Sequence, residues 1–192
     1  MKLKKLIVGL CLITISGIIT AKTINYKIDP THTATVFTWD HLGFSTPSAN
    51  FNDIQGNIQV DNEQPEKSSV SVVIPVKSIN TNVAILDTKL QAIEWFNTQK
   101  YPNITFKSTK VETSDKKNFK ILGNLTIKGV TKPVVLTAVL NKQAQHPMLK
   151  VAAIGLNATT SIKRSDFGIV SLVPMVSDNI DIQITTEAIA VK

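Results

Sequence analysis

Three histidines, one arginine and a serine beside an aspartate are the side chains of this sequence with the richest chemistry, and their spacing limits what they can do. His32, His41 and His146 stand in no metal-ligand spacing such as H-E-x-x-H, so no metal site is expected. Asp29 and His32, in D-P-x-H, are close enough for a carboxylate to fix an imidazole, and a structural hydrogen bond is the expectation over a catalytic pair. Ser165 and Asp166 in R-S-D-F-G invite a hydrolase reading. Ser165 itself stands in neither a G-x-S-x-G elbow nor an S-x-x-K pair that would activate it, so no catalytic residues are assigned. Arg164, the single arginine of the chain, is expected either to pair with Asp166 or to meet a polar head group through its planar fork.

The elements that would carry these residues are strands. From His32 to Leu42, Thr35, Phe37, Trp39 and His41 fall on one face, the period of a half-buried strand. After a polar bend at Thr46–Asn50, Ile54, Gly56, Ile58 and Val60 line one face, with Gly56 suited to a bulge or a close approach. Val70, Val72, Ile74 and Val76 share a face in the next run, and Pro75 suggests its edge. Between Ser78 and Pro102 the alternation lapses. A short helix is placed near Leu86–Ala92, and Trp95 and Phe96 follow it as a plug or lip over one opening.

Four further runs follow, at Ile104–Val111, Asn118–Ile127, Pro133–Leu140 and Leu149–Ile162. Phe119, Ile121, Gly123, Leu125 and Ile127 alternate strictly before a turn at Lys128-Gly129-Val130. Phe119 and Ile121 are therefore expected to be buried with Leu125. A last strand carries Ile180, Ile182, Ile184 and Thr186 opposite Asp181, Gln183, Thr185 and Glu187. That makes eight strands, which close into a barrel that is either filled by its own side chains or holds one ligand; a sandwich stays open. Small residues at Gly56, Gly123, Ala158 and Thr160 favour a hollow interior.

Met1–Ala21 has a basic start (Lys2, Lys4, Lys5), an apolar run from Leu6 to Ile19 and small residues at its end, the pattern of a cleaved secretory signal. Cleavage would leave one domain, 22–192, without the single cysteine, Cys11, and with a formal charge of +4 in place of +7. Seven lysines cluster at 107, 110, 116, 117, 120, 128 and 132, either as a solvated outer face or as a contact with an anionic membrane surface. Arginine and aromatic interleaving is missing, so nucleic acid is not an expected partner. The sequence leaves a homodimer open.

Several motifs carry a resemblance: Y-x-I-D-P-x-H at Tyr26–His32, F-x-W-x-H-L-G at Phe37–Gly43, EWFNTQKYP at Glu94–Pro102, GNLTIKGVTKPV at Gly123–Val134, RSDFG at Arg164–Gly168 and VSDNI at Val176–Ile180. Together they resemble the YceI family of lipocalin-like, polyisoprenoid-binding proteins. The resemblance implies an eight-stranded antiparallel barrel with an apolar bore that holds a long isoprenoid or similar chain, in the bacterial periplasm. Two positions depart from it: Lys89 stands in Asp87-Thr88-Lys89-Leu90 where histidine is usual, and Ala49 where glycine is common. The residues expected to meet the ligand are Phe37, Trp39, His41, Ile54, Ile58, Ile74, Trp95, Phe96, Phe106, Leu125, Arg164, Phe167 and Ile182. The expected function is non-catalytic storage or transport of a long-chain amphiphile, with the isoprenoid as ligand and no cofactor required. An enzyme acting on a lipid in the same bore, and a solid barrel that serves as a protein-interaction module, are the alternatives.

Overall fold

The computed structural model describes residues 23–191, so the expected signal segment lies outside the described residues. Eleven strands run in chain order: β1 (Thr23–Ile28), β2 (Ala34–Thr38), β3 (Ser48–Phe51), β4 (Gln55–Asp61), β5 (Ser69–Pro75), β6 (Ile79–Asn80), β7 (Asn103–Thr113), β8 (Asn118–Ile127), β9 (Val130–Gln145), β10 (Ala152–Lys163) and β11 (Asn179–Ala190). Among the described residues a single α-helix, α1 (Ala84–Gln91), lies in the connection between β6 and β7. Every pairing is antiparallel, and β1 closes the ring by pairing both β4 and β11.

These segments make eight staves because three are broken in two. β11 pairs β1 through Ala188–Ala190 and β2 through Asp181–Thr185, so β1 and β2 are two halves of one stave kinked at a 3₁₀ turn, Pro30–His32. β3 and β4 make the second stave, and β5 and β6 the third. The fold is a closed eight-stranded antiparallel barrel, as the resemblance implies, and not the sandwich that the alternation leaves open. Closure leaves the staves without the long free edges that invite aggregation.

Several boundaries differ from the sequence reading. The run expected from His32 to Leu42 is regular only over Ala34–Thr38, because Pro30 fixes a backbone angle that starts the 3₁₀ turn and places His32 in it. The expected bend at Thr46–Asn50 gives way at Ser48 to β3, which finds partners in β2 and β6. β1 is an additional strand that the alternation did not separate. The helix begins at Ala84, two residues earlier than expected. β10 begins at Ala152 rather than Leu149, which sits 55% exposed in the turn after β9.

Turn chemistry sets the hairpins. Lys128 and Gly129 both have positive φ (51° and 77°), the two-residue connection whose twist matches its flanking strands. At the β7–β8 turn the Asp115 carboxylate accepts from the Lys117 and Asn118 amides at 2.9 and 2.7 Å. Those bonds, led by the one from Asn118, hold its pKa down to about 2. The lysines of 107–132 run along this hairpin wall rather than gathering at one place: Lys107, Lys110 and Lys120 are exposed on it and Lys116 and Lys117 sit at its tip.

Inside the barrel, one end is packed solid. Tyr26, Ile28, Ile54, Ile58, Ile154 and Ala188 form a buried cluster there, and the Tyr26 hydroxyl accepts a hydrogen bond from Gln143 Nε2 at 3.1 Å. Gly56 belongs to this region and does not line the void, since its missing Cβ is the space taken by the Ser71 carbonyl of the neighbouring strand. Gly123 accommodates a side chain instead: the Phe106 ring lies over it, and a Cβ there would also come within 2.7 Å of the Lys107 carbonyl oxygen. Gly123→Ala is therefore expected to cost roughly 1–3 kcal/mol by overpacking, read as a lower urea midpoint with an unchanged slope. Phe119, expected to be buried with Leu125, is only half-buried, because it stands opposite Thr113 at the β7–β8 tip and runs past the core; Ile121 is half-buried and faces inward.

Candidate functional site

The barrel encloses a cavity of about 340 Å³. Its wall is assembled by the period-two rule: each stave sends alternate side chains inward, Phe37 from β2, Ile58 from β4, Val72 and Ile74 from β5, Phe106 from β7, Ile121 and Leu125 from β8, Val134 and Leu136 from β9, Ala158 and Ile162 from β10, and Ile180, Ile182 and Ile184 from β11. The volume is within the usual range of small-ligand sites. Polar groups along this wall are few. Thr33 and Thr186, for example, hydrogen-bond one another through their hydroxyls at 2.9 Å, so they present little unmet polarity to the bore.

All thirteen residues singled out from the sequence line this cavity. Ile54, Ile58 and Phe106 are buried toward its packed end and flank, with Ile74, Leu125 and Ile182 along the staves. An aromatic series crosses from wall to cover: Phe37 and Trp39 have ring centroids 5.9 Å apart, Phe37 stacks on Phe51 at 5.5 Å, and Phe51 meets Phe96 edge-on at 6.1 Å. Trp95, 9% exposed, and Phe167, 1% exposed, pack beneath the connections at the other end. His41 is exposed at that same end, bridged to Ser45 and Val176.

Alternation along the chain fixes which end opens. The connections from β2 to β3, from β6 to β7, from β8 to β9 and from β10 to β11 all emerge at one end of an antiparallel barrel. Contacts between them confirm the grouping: Lys128 Nζ donates to the Glu94 and Gly168 carbonyls at 3.4 and 3.2 Å, and the Leu42 amide donates to the Met175 carbonyl at 3.1 Å. Exposed His41, Lys89 and Leu172 are also cavity-lining, so the opening lies among the 41–45 turn, α1 and the β10–β11 connection.

Arg164 is held differently from either expectation. It is 6% exposed, and it does not pair with Asp166. Nε donates to the Ser177 carbonyl at 2.9 Å, Nη1 to those of Ile169 and Ser171 at 3.0 and 2.8 Å, and Nη2 to that of Val176 at 2.8 Å. The guanidinium carbon lies 5.4 Å from the centroid of the Trp95 ring. Four of its five N–H groups thus bind its own loop. Desolvation lowers its pKa, with the Asp178 charge opposing.

The neighbouring motif residues complete the clamp. Asp178 accepts from the Ser165 amide at 2.8 Å and from its hydroxyl at 2.7 Å. Burial alone raises the Asp178 carboxyl, but the Ser165 bonds together with the charges of Arg164 and Lys163 outweigh it and the net shift is downward. Ser165 is therefore a hydrogen-bond donor to a carboxylate that faces no base, and R-S-D-F-G with V-S-D-N-I reads as the lock of one connection. Sequence reasoning missed this pairing of motifs, and it also missed Phe51, Leu86 and Leu90 as lining residues. For Phe51 the alternation signal existed, since it faces Thr35 across β2–β3.

The Asp29–His32 contact has the expected form, with His32 Nδ1 and Asp29 Oδ2 2.8 Å apart and His32 largely exposed. Hydrogen bonds from Thr31 and His32 hold Asp29 down to about 2, and the bond to Asp29, then its charge, raises His32 above its ordinary 6.5. The stabilisation from His32 is fully present below pH 6.5 and fades as pH rises through its raised value; that from Asp29 is present above 3.8 and fades as pH falls toward about 2. In an NMR titration the His32 ring is expected to titrate above 6.5 and to return toward it in Asp29→Asn.

Against known proteins, the family model for the YceI-like domain matches residues 26–188. The chain belongs to the YceI family. A UPF0312 protein of Yersinia enterocolitica is 34% identical over 189 residues, covering 97% of this chain and 96% of its own length. The Campylobacter jejuni YceI protein, a solved structure, is 34% identical with a TM-score of 0.72, over 80% of this chain and 90% of that one. A polyisoprenoid-binding domain from Saccharophagus degradans, 15% identical, shares the fold with a TM-score of 0.67 over 88% and 99%.

Proposed function

We propose that this YceI-family barrel binds a long-chain amphiphile, with a polyisoprenoid or isoprenoid quinone precursor as the favoured class, and stores or carries it without changing it chemically. The observation that carries the reading is the continuous aliphatic and aromatic lining of a closed bore that opens at one end through His41, Lys89 and Leu172. Burial supplies the affinity. Each CH₂ moved out of water contributes ~0.8 kcal/mol, so a few isoprene units outweigh the cost of ordering the tail. The polar group stays at the opening and sets orientation. The polyisoprenoid-binding domain that shares the fold supports this ligand class. The periplasm is the compartment we assign, on the basis of the signal-like segment 1–21.

Mass spectrometry of an organic extract of natively purified protein tests the reading. One long-chain lipid in near-stoichiometric amount is the expected result. An extract without lipid, from protein that also fails to take up added prenol, overturns it in favour of an interaction module. Conversion of the added prenol to a product would establish the enzyme instead.

A further inference from the structure

The open end of the barrel is also where exposed apolar side chains gather. Phe44, 89% exposed, stands at the tip of the 41–45 turn beside Leu42, 49% exposed. Ile85, 81% exposed, lies one helical turn before Lys89 on α1. Leu172 and Met175, 47% and 59% exposed, come from the β10–β11 connection. Three connections that each contribute to the cavity's opening thus each raise large apolar groups outside it. A scattered exposed leucine needs no explanation, but apolar tips around the entrance of an apolar bore do.

We infer that this rim docks on the surface of a phospholipid bilayer carrying anionic lipid, so that the bore opens into the interface. The inference rests on the carrier reading above, since a tail insoluble in water must pass from a membrane into the bore without crossing solvent. Charge at the opening points the same way: Asp40 and Glu94 are exposed on the same connections, but no carboxylate lines the cavity. Lys89 sits at the opening, and among the described residues its ammonium has no hydrogen-bond or ion-pair partner, which suits an anionic headgroup layer. Relief argues for a bilayer over a second copy of the chain: separate projecting tips sink into a deformable interface, whereas a rigid partner must match each of them. Lys116 and Lys117 at the β7–β8 tip take no part, because they lie at the far end, whereas Lys128 lies among the rim connections.

Vesicle co-sedimentation of the barrel, residues 22–192, tests the inference without the apolar 1–21 segment, which would bind vesicles by itself. Binding is expected to vesicles of phosphatidylcholine with phosphatidylglycerol and to be weak on phosphatidylcholine alone. Phe44→Asp with Ile85→Asp is expected to lower binding at least about tenfold. Lys89→Gln is expected to lower it about fivefold, on the anionic vesicles only. Met148→Asp, at an 80% exposed apolar residue of the opposite end, is expected to change nothing. Uptake of a short fluorescent prenol from solution is read on the same samples and is expected to be unaltered by the Phe44→Asp/Ile85→Asp and Met148→Asp variants, whose residues lie outside the cavity lining. Wild type that takes up prenol but ignores both vesicles overturns the docking surface and leaves the carrier reading standing. Vesicle binding without prenol uptake upholds the surface and sinks the carrier reading. If the double variant changes the sedimentation coefficient of the free protein and not its vesicle binding, the rim is a self-association face and the inference fails.

Discussion

Arg164→Ala is expected to destabilise the barrel by roughly 3–5 kcal/mol, seen as a large fall in melting temperature with or without any ligand. The size follows from what remains after truncation. Four carbonyls, of Ile169, Ser171, Val176 and Ser177, lose their donor inside a connection that packs against Trp95 and Phe167. Each buried acceptor left without a partner costs ~1–3 kcal/mol, reduced where water reaches it. Arg164→Lys is expected to recover little, because one ammonium cannot reach four carbonyls spread around a planar fork. Asp166→Asn is expected to be close to neutral, since Asp166 does not hold the guanidinium, whereas Asp178→Asn weakens the Ser165 contacts. An Arg164→Ala protein that melts like wild type and loses only affinity for polar-headed ligands would return Arg164 to a head-group role.

That arginine also marks where the sequence stops being legible. Its side chain reaches carbonyls five to thirteen residues away, and carbonyls leave no trace in residue types. Asp166 is the nearest negative charge along the chain, but adjacency at a strand end does not bring two side chains together. The strand interiors were a different matter. β8 and β11 declare themselves because a barrel wall buries one face along its whole length, so Leu125 and Ile182 have no alternative side to occupy. The broken staves were harder to read. β1, β2 and β3 are short, and their pairing with β11 or β6 is decided by partners far along the chain. Lys89 was visible only as a departure from a family pattern; that it stands at the opening depends on how α1 is seated over the bore.

Filling the bore is expected to abolish tail binding while sparing the fold, and Ala158→Trp is the substitution that separates those two effects. Ala158 faces the cavity from the middle of β10, with buried Ala138 opposite on β9 and Ile184 on β11, so the local wall is small on one side. An indole placed there projects into the void of about 340 Å³ and not into packed side chains. Overpacking normally costs 1–3 kcal/mol because neighbours must move; into an existing void the added apolar contacts offset that, and the melting temperature is expected to hold or rise. The ligand meets the opposite balance. Excluding three or four CH₂ groups of tail removes about 2–3 kcal/mol of transfer energy, and the rest of the chain loses its continuous path, so prenol affinity is expected to fall by well over tenfold. Fluorescent-prenol titration beside thermal melts reads both quantities on one sample. Unchanged affinity in a stable Ala158→Trp protein would place the ligand outside the bore, and a molten protein would show that the void is smaller than the barrel's geometry gives it.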